Sequence, residues 1–177
     1  MKGLDQLVAA IKGVFRAQKR LANAGKERFG DWNFKLAKAI EEPLIQMYFQ
    51  AAKSAKMKRE LAPDFVAVAK ERILESSRLI NGTTSDWLGE GRDPFDTARV
   101  AGIAQTEAMY AMNAARSMVI NAKGKKLRWK VGKKPCKICL RFKGKTVKPG
   151  TPFGVVNGQA IYIPPVHPHC YCSVEEV

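Results

Sequence analysis

Two short stretches, CKIC beginning at Cys136 and HPHCYC beginning at His167, contain all four cysteines and both histidines of the chain. Thiolate and imidazole are ligands that zinc prefers, and a C-x-x-C turn can offer two sulfurs to one tetrahedral ion. Cys136 and Cys139 supply the first pair. The second is drawn from His167, His169, Cys170 and Cys172, where C-x-C spacing joins Cys170 to Cys172 and H-x-x-C spacing joins His167 to Cys170. The expected zinc ligands are Cys136, Cys139, Cys170 and Cys172, with His167 the alternative. Two disulfides joining the same pairs would staple the same loops and suit a protein that ends up outside a cell.

Catalytic uses of the cluster fare less well. A redox C-x-x-C of thioredoxin type belongs in a βαβ setting, which the surrounding pattern lacks. A cysteine nucleophile needs a histidine base and an orienting group, and nothing beyond His167 or His169 points that way. PCKIC matches the P-C-x-x-C half of the zinc nucleobase deaminases, which also need an upstream H-x-E. Both histidines here lie downstream of Cys136 and Cys139, so that half is missing. Hydrolytic zinc keeps an open position for water, which an all-thiolate shell closes. The expectation is a non-enzymatic protein whose metal is structural; in finger-like peptides such zinc contributes about 10–16 kcal/mol to folding.

The elements that must carry this cluster are read from pattern and composition. The 177 residues carry a formal charge of +15, and 46% are apolar, an ordinary globular composition. No apolar run approaches the roughly 20 residues of a membrane span. MKGLDQLVAAIKG reads as an amphipathic helix, not a secretion signal, which makes a reducing cytoplasm the default compartment and favours metal over disulfides. From Lys123 to Lys148 there are twelve Lys or Arg and no acid, a run that attracts polyanions unless it is only a solubilising face.

Helical spacing runs from residue 4 to about 24, breaks at GKERFGDWN, and resumes from about Asn33 to Ala62, with Pro43 kinking or restarting it. APDF opens a third helix, expected to stop at Asn81-Gly82, and NGTTSDWLGEGR reads as a loop. Asp93-Pro94 opens a fourth, to about Asn121. KLRWKV then alternates as a half-exposed strand, with Leu127, Trp129 and Val131 on one face, and AIYI is a second strand. The fold class is α+β: a helical region over 1–122, with 1–64 a candidate docking segment, and a basic, β-rich, zinc-stabilised module over 123–177.

One carboxylate is oddly placed. Val100, Ile103, Tyr110 and Ala114 share a helical stripe with Glu107, beside a small-residue face of Ala104, Ala108, Ala111 and Ala115. Either Glu107 meets a cation (Arg99, Arg116 or the basic strand) or the edge of the stripe is wet there.

The order of these features resembles the phage Mu F-like head morphogenesis family of minor capsid proteins. The resemblance is carried by Arg99, Ile103-Ala104, Thr106-Glu107, Asn113, Trp129, Cys136, Cys139, His167, Cys170 and Cys172, and covers about residues 65–177. The family often ends H-P-N-C-R-C, where His169 and Tyr171 stand here, and an acid commonly precedes its C-x-x-C, where Lys133 and Lys134 stand here. The resemblance implies a structural role in the head of a tailed phage or prophage: association with the portal and capsid, a place in the capsid interior, and passage through the host cytoplasm during assembly. Arg99 and Glu107 are expected to have a structural or interface role, and Trp129 a structural one. A basic face near the portal would meet packaged DNA non-specifically, through Lys125, Lys126, Arg128, Lys130, Lys133 and Lys134. The alternative is a free nucleic-acid-binding zinc-ribbon protein acting in packaging or regulation.

Overall fold

The computed structural model describes residues 3–24 and 30–177. It is α+β: four long helices, α1 (Leu4–Asn23), α2 (Gly30–Ser54), α3 (Ala62–Gly89) and α4 (Thr97–Ala122), precede a small strand-containing region. That region holds β1 (Leu127–Lys130), the one-turn helix α5 (Lys137–Leu140), β2 (Thr146–Val147), β3 (Gly154–Val156), β4 (Gln159–Ile161) and β5 (Ser173–Glu176). No helix among the described residues is long and apolar enough to cross a membrane.

The chain divides into two compact units, Met1–Met47 with Val66–Ala104, and Tyr48–Phe65 with Gln105–Val177. The break in composition near residue 122 falls inside the second unit, because the later part of α4 belongs with the strands.

The first unit buries Leu7, Ile11 and Phe15 of α1, Leu36, Ile40, Leu44 and Met47 of α2, Ile73 and Ile80 of α3, and Val100 of α4. Phe15 meets Phe95 edge-on, with centroids 5.6 Å apart. Of the predicted break GKERFGDWN, residues 25–29 lie outside the described residues, and α2 begins at Gly30. α2 continues as a helix through Pro43.

Two helix ends differ from expectation for local reasons. α3 does not stop at Asn81-Gly82 but runs on to Gly89. Asn81 is buried there, accepting a hydrogen bond from the Gln18 side-chain amide at 3.0 Å and donating one to Asn33 Oδ1 at 2.8 Å. The Thr83 and Thr84 hydroxyls donate back to the carbonyls of Leu79 and Ile80, so tertiary and back-bonded partners override the local turn preference. α3 closes at Gly91 (φ 71°) with paired bonds, Gly91 N–H to Leu88 O and Arg92 N–H to Trp87 O, in a Schellman arrangement that favours glycine at that position. Asp93-Pro94 does not begin α4 either. Asp93 Oδ1 accepts from Phe95 N–H at 2.9 Å, making a turn, and Asp96 caps the helix by accepting from Arg99 N–H at 2.7 Å.

Arg99 locks this corner. Its guanidinium donates to Thr84 Oγ1 (3.0 Å), Pro94 O (2.7 Å) and Ile80 O (3.0 Å), and lies 5.1 Å from the ring centroids of both Phe15 and Trp87. Burial holds its pKa below the usual arginine value. Hydrogen bonds from a charged donor contribute about 1.5–3 kcal/mol each. Arg99→Ala is therefore expected to cost the helical unit about 3 kcal/mol after partial replacement by water. Arg99→Lys recovers little, since an ammonium lacks the planar fork. Helical circular dichroism against temperature measures both.

In the second unit β1 is the central strand, antiparallel to both β2 and β5, with Trp129 opposite Val174 and Arg128 opposite Glu175. The expected alternation holds: Leu127 and Trp129 are buried, Lys126 and Lys130 exposed. Trp129 packs at 5.0 Å against Phe142 and at 5.0 Å against Phe153, in a core with Val147, Ile120, Val174 and three of the cysteines. β3 and β4 form a hairpin in which Val156 pairs with Gln159, leaving Asn157 (φ 49°) and Gly158 (φ 78°) as a two-residue type I′ turn.

Candidate metal centre and basic face

Cys136 caps α5 from an extended backbone (φ −79°, ψ 168°), and its Sγ accepts from the backbone N–H of Cys139 at 3.5 Å. An N-cap side chain folds back over the first turn, which is why two sulfurs three residues apart face the same side. Burial raises the Cys136 thiol, but the N–H groups of Cys139 and Ile138 outweigh it and hold its pKa below the ordinary thiol range.

His167 enters from the C-terminal loop. Its Nε2 stands 3.0 Å from Cys136 Sγ and 3.3 Å from Cys139 Sγ, while Nδ1 lies 2.7 Å from Pro168 O. Assigning the ring proton to Nδ1, where that carbonyl accepts it, turns the Nε2 lone pair toward the sulfurs, as metal binding requires. Cys170 Sγ is 3.6 Å from Cys139 Sγ, and all four thiols are free. A disulfide would need about 2.05 Å. The sulfur–sulfur edge of a tetrahedral zinc thiolate is about 3.8 Å, given Zn–S bonds of about 2.3 Å. The two nitrogen–sulfur contacts are closer than such an edge.

The donors form two overlapping triads, Cys136–Cys139–His167 and Cys139–Cys170–Cys172, with the ligand atoms of each within 4.8 Å of one another. Cys139 belongs to both. Together the five residues could hold a metal ion, and they offer one donor more than a tetrahedral ion takes. Cys139, Cys170 and Cys172 are buried. Burial, followed by the neighbouring Cys172 and Cys170 sulfurs, pushes the Cys139 thiol far up. Burial likewise raises Cys170, against the Cys172 N–H, which lowers it. Three buried sulfurs in contact do not ionise together unless a cation joins them, and a bound divalent ion reverses the penalty. The donor set therefore fits a thiophilic metal.

Side chains from α4 hold the ligand loop in place. Asn113, fully buried, donates from Nδ2 to Cys172 O at 3.1 Å and accepts at Oδ1 from Val174 N–H at 3.0 Å, so it grips the backbone on both sides of Ser173. Thr106 Oγ1 accepts from His169 N–H at 3.3 Å, where His169 sits at φ 59°. Gly132 lets the same loop come close: a Cβ there would lie 2.8 Å from Tyr171 O and 2.9 Å from Tyr171 Cβ. Composition and spacing did not single out Asn113 or Gly132 as supports; the available signal was an amide among alanines on an otherwise apolar face.

Glu107 is buried at 4% exposure, so the edge of the stripe is not wet there.

The basic run is less uniform in space than in sequence. Lys125, Lys126, Lys130, Lys133 and Lys134 are exposed, and Arg128 is half-buried. Glu175 and Glu176, remote in the chain, are brought alongside by β5. Glu175 lies 3.3 Å from Arg128 Nε and 3.6 Å from Lys130 Nζ, and Glu176 lies 2.7 Å from Lys123 Nζ. The acid-free character read from residues 123–148 is thus corrected at the strand. It persists at Lys125, Lys126, Lys133 and Lys134, which no ion pair among the described residues takes up. Compared with protein-family models, curated proteins and solved structures, the chain finds no match in any of the three.

Proposed function

We propose that this chain is a minor head protein of a tailed phage or prophage, associated with the portal inside the capsid, with a zinc-closed basic module that touches packaged DNA without reading its sequence. One observation carries the reading. Thr106 and Asn113, two helix positions of the head-morphogenesis resemblance, reach the backbone of the closing H-P-x-C-x-C segment, another part of it. Residues that the resemblance orders along the chain thus act on one another in space. The metal is zinc, held by Cys136, Cys139 and Cys170 with the fourth position filled by Cys172 or His167. Its role is to close the fold, since nitrogen and sulfur donors occupy every position and leave none for a reacting water.

Binding to DNA is electrostatic on this reading, so four unpaired lysines give a slope of log affinity against log salt of about −3 to −4. Replacing Lys133 and Lys134 by glutamate flattens the slope and weakens binding, whereas Arg128→Ala, already paired with Glu175, changes it little. Titration of a labelled duplex over a salt series measures this.

Mass spectrometry of density-purified particles tests the assignment itself. A low, fixed amount of the chain relative to portal protein supports it. A chain confined to the free lysate removes it, and leaves a free nucleic-acid-binding zinc protein as the reading.

A further inference from the structure

We infer that the module binds unpaired nucleic acid in preference to duplex, with Tyr171 as the surface on which a base stacks. The inference rests on the reading above that the module contacts DNA, and concerns unpaired stretches rather than the packaged duplex.

Tyr171 sits between Cys170 and Cys172, both 2% exposed, yet is itself 56% exposed. Such an alternation fixes the ring outward, because turning it in would expel a buried sulfur on either side. Its backbone is held as well. Asn113 grips the carbonyl of Cys172, the next residue, and Thr106 grips the N–H of His169, two residues before. Against its carbonyl and Cβ lies Gly132, with no room for a side chain. Gly132 is followed directly by Lys133 and Lys134, both exposed.

The outcome is a large, flat aromatic presented to solvent, with two exposed cations one and two residues beyond the glycine that its backbone touches. A tyrosine exposed to this extent keeps more than half of its surface free for a ligand, and a base stacked on such a ring gains about 1–3 kcal/mol in single-strand binders. The bases of a duplex are already stacked on one another and show no free face. Lysines at the flank take the phosphates on either side of the stacked nucleotide. The same chemistry would accept RNA, and competition by oligo-U against oligo-dT separates the two sources.

The test measures fluorescence anisotropy of the full chain with labelled oligo-dT and with a duplex of equal length, at one salt concentration, with zinc present. The wild-type chain is expected to bind the single strand more tightly. Tyr171→Ala is expected to weaken that binding roughly 5- to 150-fold while leaving duplex binding within about twofold, and Tyr171→Phe to retain it. Zinc content and circular dichroism of each variant show whether the loop has kept its fold. If a folded, zinc-loaded Tyr171→Ala binds oligo-dT as the wild type does, or if the wild type prefers duplex, the inference is overturned and DNA contact stands. If neither form of DNA binds at low salt, both fall.

Discussion

Cys139→Ser is expected to abolish metal binding and unfold the C-terminal module, while His167→Ala and Cys172→Ser are each expected to leave a measurable, weaker site. The asymmetry follows from the geometry. Cys139 is the one donor shared by both triads, so its loss breaks both, whereas His167 and Cys172 each belong to a single triad. With His167 gone four cysteines remain, and with Cys172 gone three cysteines and His167 remain, each set still tied together by Cys139; without Cys139 the four donors left fall into two pairs, Cys136 with His167 and Cys170 with Cys172, that share no triad. The expected consequence for folding is large because the apolar core around the candidate metal site is small. Apart from the sulfurs it rests on Trp129, Phe142, Phe153, Ile120, Leu127, Val147 and Val174. Structural zinc contributes about 10–16 kcal/mol in finger peptides, of the same size as or greater than the entire stability of a typical domain. Serine keeps the size of the side chain but not its affinity for zinc, so the effect isolates the ligand. Isothermal titration with zinc, followed by near-ultraviolet circular dichroism, distinguishes the three variants.

Asn113→Ala is the second large effect, and it acts without touching the metal. The amide donates to Met109 O and Cys172 O and accepts from Val174 N–H. Truncation removes these bonds and leaves the Cys172 carbonyl and the Val174 N–H without their buried partner. Each stranded group costs about 1–3 kcal/mol, so a loss of about 3–5 kcal/mol is expected. Asn113→Asp does not rescue it. One carboxylate oxygen still receives Val174 N–H, but the other faces the Cys172 carbonyl in place of a donor, and a charge is buried. Because Cys172 is a candidate ligand, zinc affinity is also expected to fall about 10- to 100-fold, as when other groups that orient metal ligands are removed. A competitive chelator titration reads the affinity, and thermal unfolding of the zinc-loaded protein reads the stability.

Local chemistry was legible in the sequence where the local signal was also the deciding one. C-x-x-C spacing brings Cys136 and Cys139 together because Cys136 caps the turn that carries Cys139, its sulfur accepting from the Cys139 N–H. The alternation of Leu127, Trp129 and Lys130 marks a strand because one face of it is buried. Where tertiary partners decide, the same signals misled. Asn157-Gly158 makes the tight turn its residue types favour, whereas Asn81-Gly82 is carried inside a helix by the partners of Asn81. Asp93-Pro94 carries the signature of a helix start, but it is Asp96 that caps the helix. In the sequence the basic strand stands apart from its neighbour. Only the pairing of β1 with β5 brings Glu175 to Arg128 and Lys130, and that register is set by contacts nearly fifty residues apart. Which loop atoms reach Cys139 is also decided in three dimensions: Cys170 and Cys172 join it in one triad and His167 in the other.

Cobalt substitution of the purified, reduced chain tests the metal-closed module most directly. One equivalent of Co²⁺, bound with the strong visible absorption of a tetrahedral ion and with thiolate charge-transfer bands, displaced by one equivalent of zinc and absent from Cys139→Ser, is the predicted result. A chain that takes up no metal with all four thiols free, or that folds identically with those thiols paired as disulfides, would contradict it.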